Sequence, residues 1–183
     1  MVIKYQEKPV KADKKEIGFH YVEAEAIKAN HGVECLFIDL GEGIGLKLYD
    51  SKNEALRARQ IQYVLSVLDM APSVYSVVLE FPITDYMRNN GPAMWYYYDS
   101  DDTLYGYYTE VVTPLDRYMY REPITNRKKR ELNYKCHEYF HCDMFDEHEG
   151  NLGYKGNELV FIDFGGHSFL GEDFDELYKY YGV

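Results

Sequence analysis

The chain has 183 residues, a net charge of −11, 46% hydrophobic residues and 28% charged residues. That length fits one domain or two small lobes, and the hydrophobic share can bury a core, which excludes a disordered tail. No apolar run approaches the ~20 residues of a membrane span. An acidic chain is also poorly matched to nucleic-acid phosphates, so neither membrane nor nucleic acid is expected as a partner.

Three cysteines, Cys35, Cys136 and Cys142, are too few for a disulfide scaffold and point to a reducing, cytoplasmic setting. Residues 1–16 are polar and read as edge structure, without the apolar stretch of a signal peptide. Residues 17–31 space Ala and Ile in a weakly helical way. Cys35–Leu40 is an apolar run of strand length. Gly41-Glu42-Gly43-Ile44-Gly45 follows, and then Leu46–Tyr49, so this stretch reads as a hairpin. Residues 52–69 carry Ala55, Leu56, Ile61, Val64, Leu65 and Leu68 at helical spacing, with Ser51 as N-cap and Glu54 three residues on. Residues 76–81, 94–98 and 103–112 read as strands, the last two Tyr-rich and joined by the polar turn at 99–102. Twenty tyrosines in all predict a Tyr-faced sheet. A second helix is predicted from about Asn126 to Phe145, and a strand–turn–strand unit over 150–166.

Between Cys142 and Glu176 lie ten acidic residues and one lysine. Within that stretch Asp146, His148 and Asn151 form Asp-x-His-x-x-Asn, and Asp163-Phe164-Gly165 follows four apolar residues, Leu159–Ile162. Asp146 and Asn151 stand at either end of a short loop, and Asp163 emerges from a strand. Carboxylate and carboxamide oxygens are the hard ligands that suit Mg²⁺, which takes its remaining ligands from water and phosphate. A carboxylate left free of metal could orient or deprotonate a hydroxyl.

Asp-x-His-x-x-Asn followed by Asp-Phe-Gly resembles the catalytic half of the protein-kinase-like superfamily. It is closest in form to aminoglycoside and choline phosphotransferases and to small atypical kinases, including phage-encoded ones. The resemblance covers roughly residues 33–168. It implies an α+β, two-lobed kinase-like fold: an N-lobe over 1–112 built on an antiparallel sheet, and a truncated, minimal C-lobe over 113–183. It further implies ATP and Mg²⁺ as cofactors. Asp146 would be the catalytic base, and Asn151 and Asp163 the metal ligands. Lys47 would resemble the third-strand lysine that contacts the nucleotide phosphates, and the backbone from Glu110 to Val112 the hinge that holds adenine. The helix over 52–69 stands where the family places its C helix, with Glu54 or Gln60 as the partner of Lys47. The γ-phosphate would pass to a hydroxyl acceptor on a protein or a small molecule.

Several positions depart from that pattern. Gln60 is neutral where the family has a glutamate, Met144 stands where it usually has histidine, and 18 residues follow Gly165. These departures define a second reading, a pseudokinase that acts as a nucleotide- or protein-binding module. So short a C-lobe would leave apolar surface for a homodimer to cover. A third reading comes from His137-Glu138-Tyr139-Phe140-His141, a His-Glu-x-x-His pattern. On a helix it could hold Zn²⁺ between His137 and His141, with Glu138 as base and His148, Glu158 or Asp163 as third ligand. Lys135 and Asp143 flank it closely, and ordinary hydrogen bonding of the two histidines is the simpler account.

Overall fold

Along one strand, Leu46 and Leu48 alternate with Lys47 and Tyr49, and that alternation organises the molecule. The computed structural model describes residues 2–6, 21–25, 28–31, 35–98, 102–141, 149–164 and 179. Near the N-terminus, β1 (Val2–Gln6) and β2 (Tyr21–Glu25) form an antiparallel pair, Val2 opposite Glu25 and Gln6 opposite Tyr21. β3 (Lys28–His31) then opens a larger sheet. The weakly helical spacing over 17–31 is thus overridden where the structure describes it. Tyr-Val-Glu-Ala-Glu alternates with period two, and strand partners outweigh a marginal helical propensity.

β4 (Leu36–Asp39) and β5 (Ile44–Tyr49) are joined by a tight turn in which Gly41, Glu42 and Gly43 all have positive φ, 86°, 52° and 76°. The Leu40 N–H donates to the Ile44 carbonyl and the Ile44 N–H to the Gly41 carbonyl, each at 2.9 Å. The two glycines supply left-handed backbone that a side chain would strain, so this glycine-rich stretch is a hairpin turn.

α1 (Lys52–Val67) follows, with the Glu54 N–H donating to Ser51 Oγ at 3.4 Å. Its buried face is Ala55, Ala58, Ile61, Gln62, Val64 and Leu65, whereas Leu56 is 46% exposed. β6 (Leu79–Pro82), α2 (Asp85–Asn90) and β7 (Thr103–Glu110) come next. The run predicted as a strand at 94–98 is instead a 3₁₀ helix, Ala93–Tyr97. Pro92 fixes its start at φ −49°, and only Trp95 is buried among exposed Met94, Tyr96 and Tyr97. One inward residue in a turn of three suits a 3₁₀ segment better than alternation.

The resulting five-stranded sheet is antiparallel throughout, in the order β3-β4-β5-β7-β6. Lys47 lies opposite Phe37 on β4 and Tyr107 on β7. A second sheet is a three-stranded unit of β8 (Thr113–Pro114), β9 (Leu152–Lys155) and β10 (Glu158–Phe161), with β9 in the middle. Between β8 and β9 runs α3 (Pro123–Phe140). It starts at a proline, whose missing N–H costs nothing in a first turn, and ends at His141 in left-handed conformation, φ 53°. The helix is therefore shifted toward the N-terminus relative to the predicted 126–145.

Two cores flank the larger sheet. One lies beneath α2 and the 3₁₀ helix: Leu36, Ile38, Leu46, Leu48, Phe81, Ile83, Met87, Trp95, Leu104 and Tyr108. The other joins Tyr49 and Tyr107 to the inner faces of α1 and α3, to Leu152, Leu159 and Phe161 of the hairpin, and to Phe164. This second core draws on residues from both sides of position 112. Among the described residues no helix is long and apolar enough to cross a membrane.

Candidate functional site

β9 and β10 form a hairpin turned by Lys155-Gly156-Asn157, with Gly156 at φ 59°. Its two open ends lie side by side. The Ile162 N–H donates to the Asn151 carbonyl at 2.9 Å, which holds Asn151 beside the segment that carries Asp163. The Phe161 N–H donates to the Met70 carbonyl at 2.9 Å and so anchors that segment to the loop after α1.

Lys47 reaches the same segment from the centre of the larger sheet. Its Nζ donates to the Ile162 carbonyl and stands 4.2 Å from the centroid of the Phe164 ring. The side chain is almost fully buried, 5% exposed. Burial pushes its ammonium below the usual lysine range, and the charges of Cys35 and Asp163 pull partly the other way. The structure therefore brings Lys47, Asn151 and Asp163 to one place, although they lie up to 116 positions apart in the sequence.

Around Lys47 the sheet face is polar and dry. Tyr49 stacks on Tyr107 with ring centroids 6.3 Å apart, and burial pushes both hydroxyls up, Tyr49 further through Tyr107. Gln62, fully buried on α1, accepts from the Tyr107 hydroxyl at 3.0 Å and donates to the Pro72 carbonyl at 2.9 Å and to Thr109 Oγ1. Thr109 Oγ1 in turn donates to the Ser73 carbonyl at 3.0 Å. Glu54 is exposed in the first turn of α1, and Gln60 is half-buried beside the inward face. Among the described residues the charges acting on Lys47 come from Cys35 and Asp163. The residue α1 turns toward the polar face is Gln62. Its signal in the sequence is helical spacing, four residues after Ala58 and three before Leu65.

The edge of the site is the end of β7. The Glu110 N–H donates to the Ser73 carbonyl and the Val111 N–H to the Gly43 carbonyl, both at 2.9 Å. Among the described residues none accepts from the Val112 N–H. The Glu110 carboxylate turns away to Lys155 Nζ at 2.9 Å and to the Ser73 N–H at 3.0 Å, and Lys155 also donates to Ser73 Oγ at 3.1 Å. Burial raises the Glu110 carboxyl, but these hydrogen bonds and the lysine charge outweigh it and hold the group below the usual carboxylate range. The clasp ties the hairpin to the larger sheet.

Asp146, His148, Met144 and Gly165 lie outside the described residues. In the His-Glu-x-x-His segment, His137, Glu138 and His141 are exposed, and Cys136 faces the core. His141 is the C-cap of α3, in left-handed conformation, and its N–H donates to the His137 carbonyl at 3.2 Å. Among the described residues no group of three or more His, Cys, Asp or Glu side chains is placed to hold a metal ion. No family model matches the chain, and no curated protein matches it.

Proposed function

We propose that this chain is a small two-lobed, kinase-like phosphotransferase that binds Mg²⁺–ATP between the larger sheet and the β9–β10 hairpin. The observation that carries this reading is the approach of buried Lys47 to Ile162 and Phe164, the two neighbours of Asp163. Lys47 stands on the third strand of the five-stranded sheet in chain order, directly before α1, which is where the resemblance expects a phosphate-contacting lysine. In this reading Lys47 exchanges the Ile162 carbonyl for phosphate oxygens. Asp163 and Asn151 offer the hard oxygen donors that Mg²⁺ takes, and the metal shields the phosphates from the surrounding carboxylates. The Glu110 carbonyl and the Val112 N–H face the base, while the Glu110 side chain serves the clasp. Asp146 accepts the proton of the acceptor hydroxyl.

One observation favours a second reading, binding without efficient transfer. The polar residue that α1 buries against the sheet is a neutral glutamine, and among the described residues the charges acting on Lys47 include no carboxylate of that helix.

Thermal unfolding with ATP, in Mg²⁺ and in EDTA, tests the nucleotide site. A ligand at 100 times its Kd adds about 2.7 kcal/mol to the native state. A Mg²⁺-dependent rise in Tm that disappears in Asp163→Asn is the expected result, and no rise under any condition refutes the site. Asp146→Asn then separates the two readings. Nucleotide binding with transfer lost marks the enzyme, whereas a wild type that binds but never transfers marks the binding module.

A further inference from the structure

The chain passes from the larger sheet to the smaller one through two residues, Val111 and Val112, between the end of β7 at Glu110 and the start of β8 at Thr113. The clasp spans that corner. Glu110 stands immediately before it, and Lys155 follows Tyr154, which lies opposite Thr113 immediately after it. Lys155 Nζ lies 2.9 Å from the Glu110 carboxylate and donates to Ser73 Oγ at 3.1 Å, and the Ser73 N–H donates to the same carboxylate oxygen at 3.0 Å. Three segments therefore meet in one small ring: the loop after α1, the end of β7 and the end of β9. At the other end of the hairpin a second anchor reaches the same loop, from the Phe161 N–H to the Met70 carbonyl. Phe161 pairs with Leu152, the first residue of β9, and Lys155 is its last, so the two anchors lie about 10 Å apart along the strand. One hydrogen bond is a pivot, whereas two anchors at that separation fix the direction of the hairpin.

We infer that Lys155 is a positioning residue: with Glu110 and Ser73 it braces the corner between the two sheets and so holds Asn151 and Asp163 at their distance from Lys47. The inference rests on the nucleotide reading above and adds the device that preorganises its metal–phosphate site. Lys47 belongs to the larger sheet, whereas Asn151 and the segment of Asp163 continue the open end of the hairpin. Mg²⁺ takes nearly ideal octahedral geometry, at about 2.0–2.1 Å from its ligands, and shares them with phosphate. A metal so exacting responds when one sheet turns against the other, and a ligand that must itself order the corner binds more weakly. Lys155 and Glu110 are partly exposed, 30% and 24%. An ion pair so placed contributes little, which limits the effect of the brace to about two- to fivefold in affinity.

The test measures Mg²⁺–ATP affinity by calorimetry on the full chain and, without nucleotide, amide hydrogen exchange at Phe161 and Leu48. Lys155→Met should weaken Mg²⁺–ATP about two- to fivefold and speed exchange at Phe161 by a similar factor, with exchange at Leu48 unchanged. Lys155→Arg, which can still pair with Glu110, should restore both. Glu110→Gln should match Lys155→Met, and the double variant should lose no more than either alone. A loss in Lys155→Met that is additive with Glu110→Gln, or absent from it, overturns the brace by making Lys155 a direct contact of the ligand. Wild-type affinity in Lys155→Met also overturns it, as does equal acceleration at Phe161 and Leu48, which marks a general loss of stability. A wild type that binds no Mg²⁺–ATP removes the nucleotide reading, and exchange at Phe161 then decides the brace alone.

Discussion

The two faces of the five-stranded sheet are built from the same strands but obey different rules. On one face Leu46, Leu48 and Leu104 meet Phe81, Met87 and Trp95, and the packing is almost wholly apolar. On the other, one residue away along the same strands, stand Lys47, Tyr49, Tyr107 and Thr109, answered from α1 by Gln62. Burying polar groups costs stability unless each finds a partner. The first face therefore rests on apolar packing, while the second, which also carries an apolar core, accommodates a buried lysine beside Asp163.

Substitutions should separate the two faces. The largest loss is expected from Leu48→Ala, which empties a fully buried site on the apolar face and should cost about 2–5 kcal/mol in urea unfolding. A loss under 1 kcal/mol would show that face to be loosely packed. Next comes Gln62→Leu, which keeps most of the volume but removes the partner of the Tyr107 hydroxyl and of the Pro72 carbonyl. About 1–3 kcal/mol should be lost, and a neutral result would mean that water replaces the amide.

Lys47→Met should differ in sign. Removing a desolvated ammonium should leave stability at pH 7 unchanged or higher, while phosphate binding disappears. The pH dependence sharpens this contrast. With the folded pKa of Lys47 below 10.5, the unfolded chain holds more protons between those two values. Wild-type stability relative to Lys47→Met must therefore rise with pH across that window. A flat difference from pH 7 to 10.5 would mean that the lysine is solvated.

The smallest effect belongs to the clasp. Glu110→Gln should cost about 0.5 kcal/mol at pH 7, since the pair is partly solvent-exposed. Because the folded Glu110 pKa lies below 4.5, its contribution is present above pH 4.5 and fades as the pH falls through the folded value. Acid titration of wild type against the variant measures it.

The sequence showed some of this plainly. The β4–β5 hairpin, α1 with its Ser51 cap and the β9–β10 unit each carry local signals strong enough to place them: left-handed glycines, an N-cap, and a continuous apolar run, Leu159–Ile162, after the Gly156-Asn157 turn. The joining of Lys47 to the segment around Asp163 was expected only through resemblance, because no local rule links residues more than a hundred positions apart. Gln62 was missed because a spacing carried from the family favoured Gln60, although the helix's own periodicity turns Gln62 inward. The 3₁₀ helix at 93–97 read as a strand because a run of aromatics satisfies either period over five residues.

The chain's one tryptophan, Trp95, sits wholly within the apolar core, against Gly91 and on the opposite side of the sheet from Lys47. Its fluorescence is thus a spectroscopic channel for that face alone. A variant on the lysine face that leaves the emission maximum and quencher accessibility of Trp95 unchanged has acted locally. One that shifts the emission to the red has let solvent through the sheet.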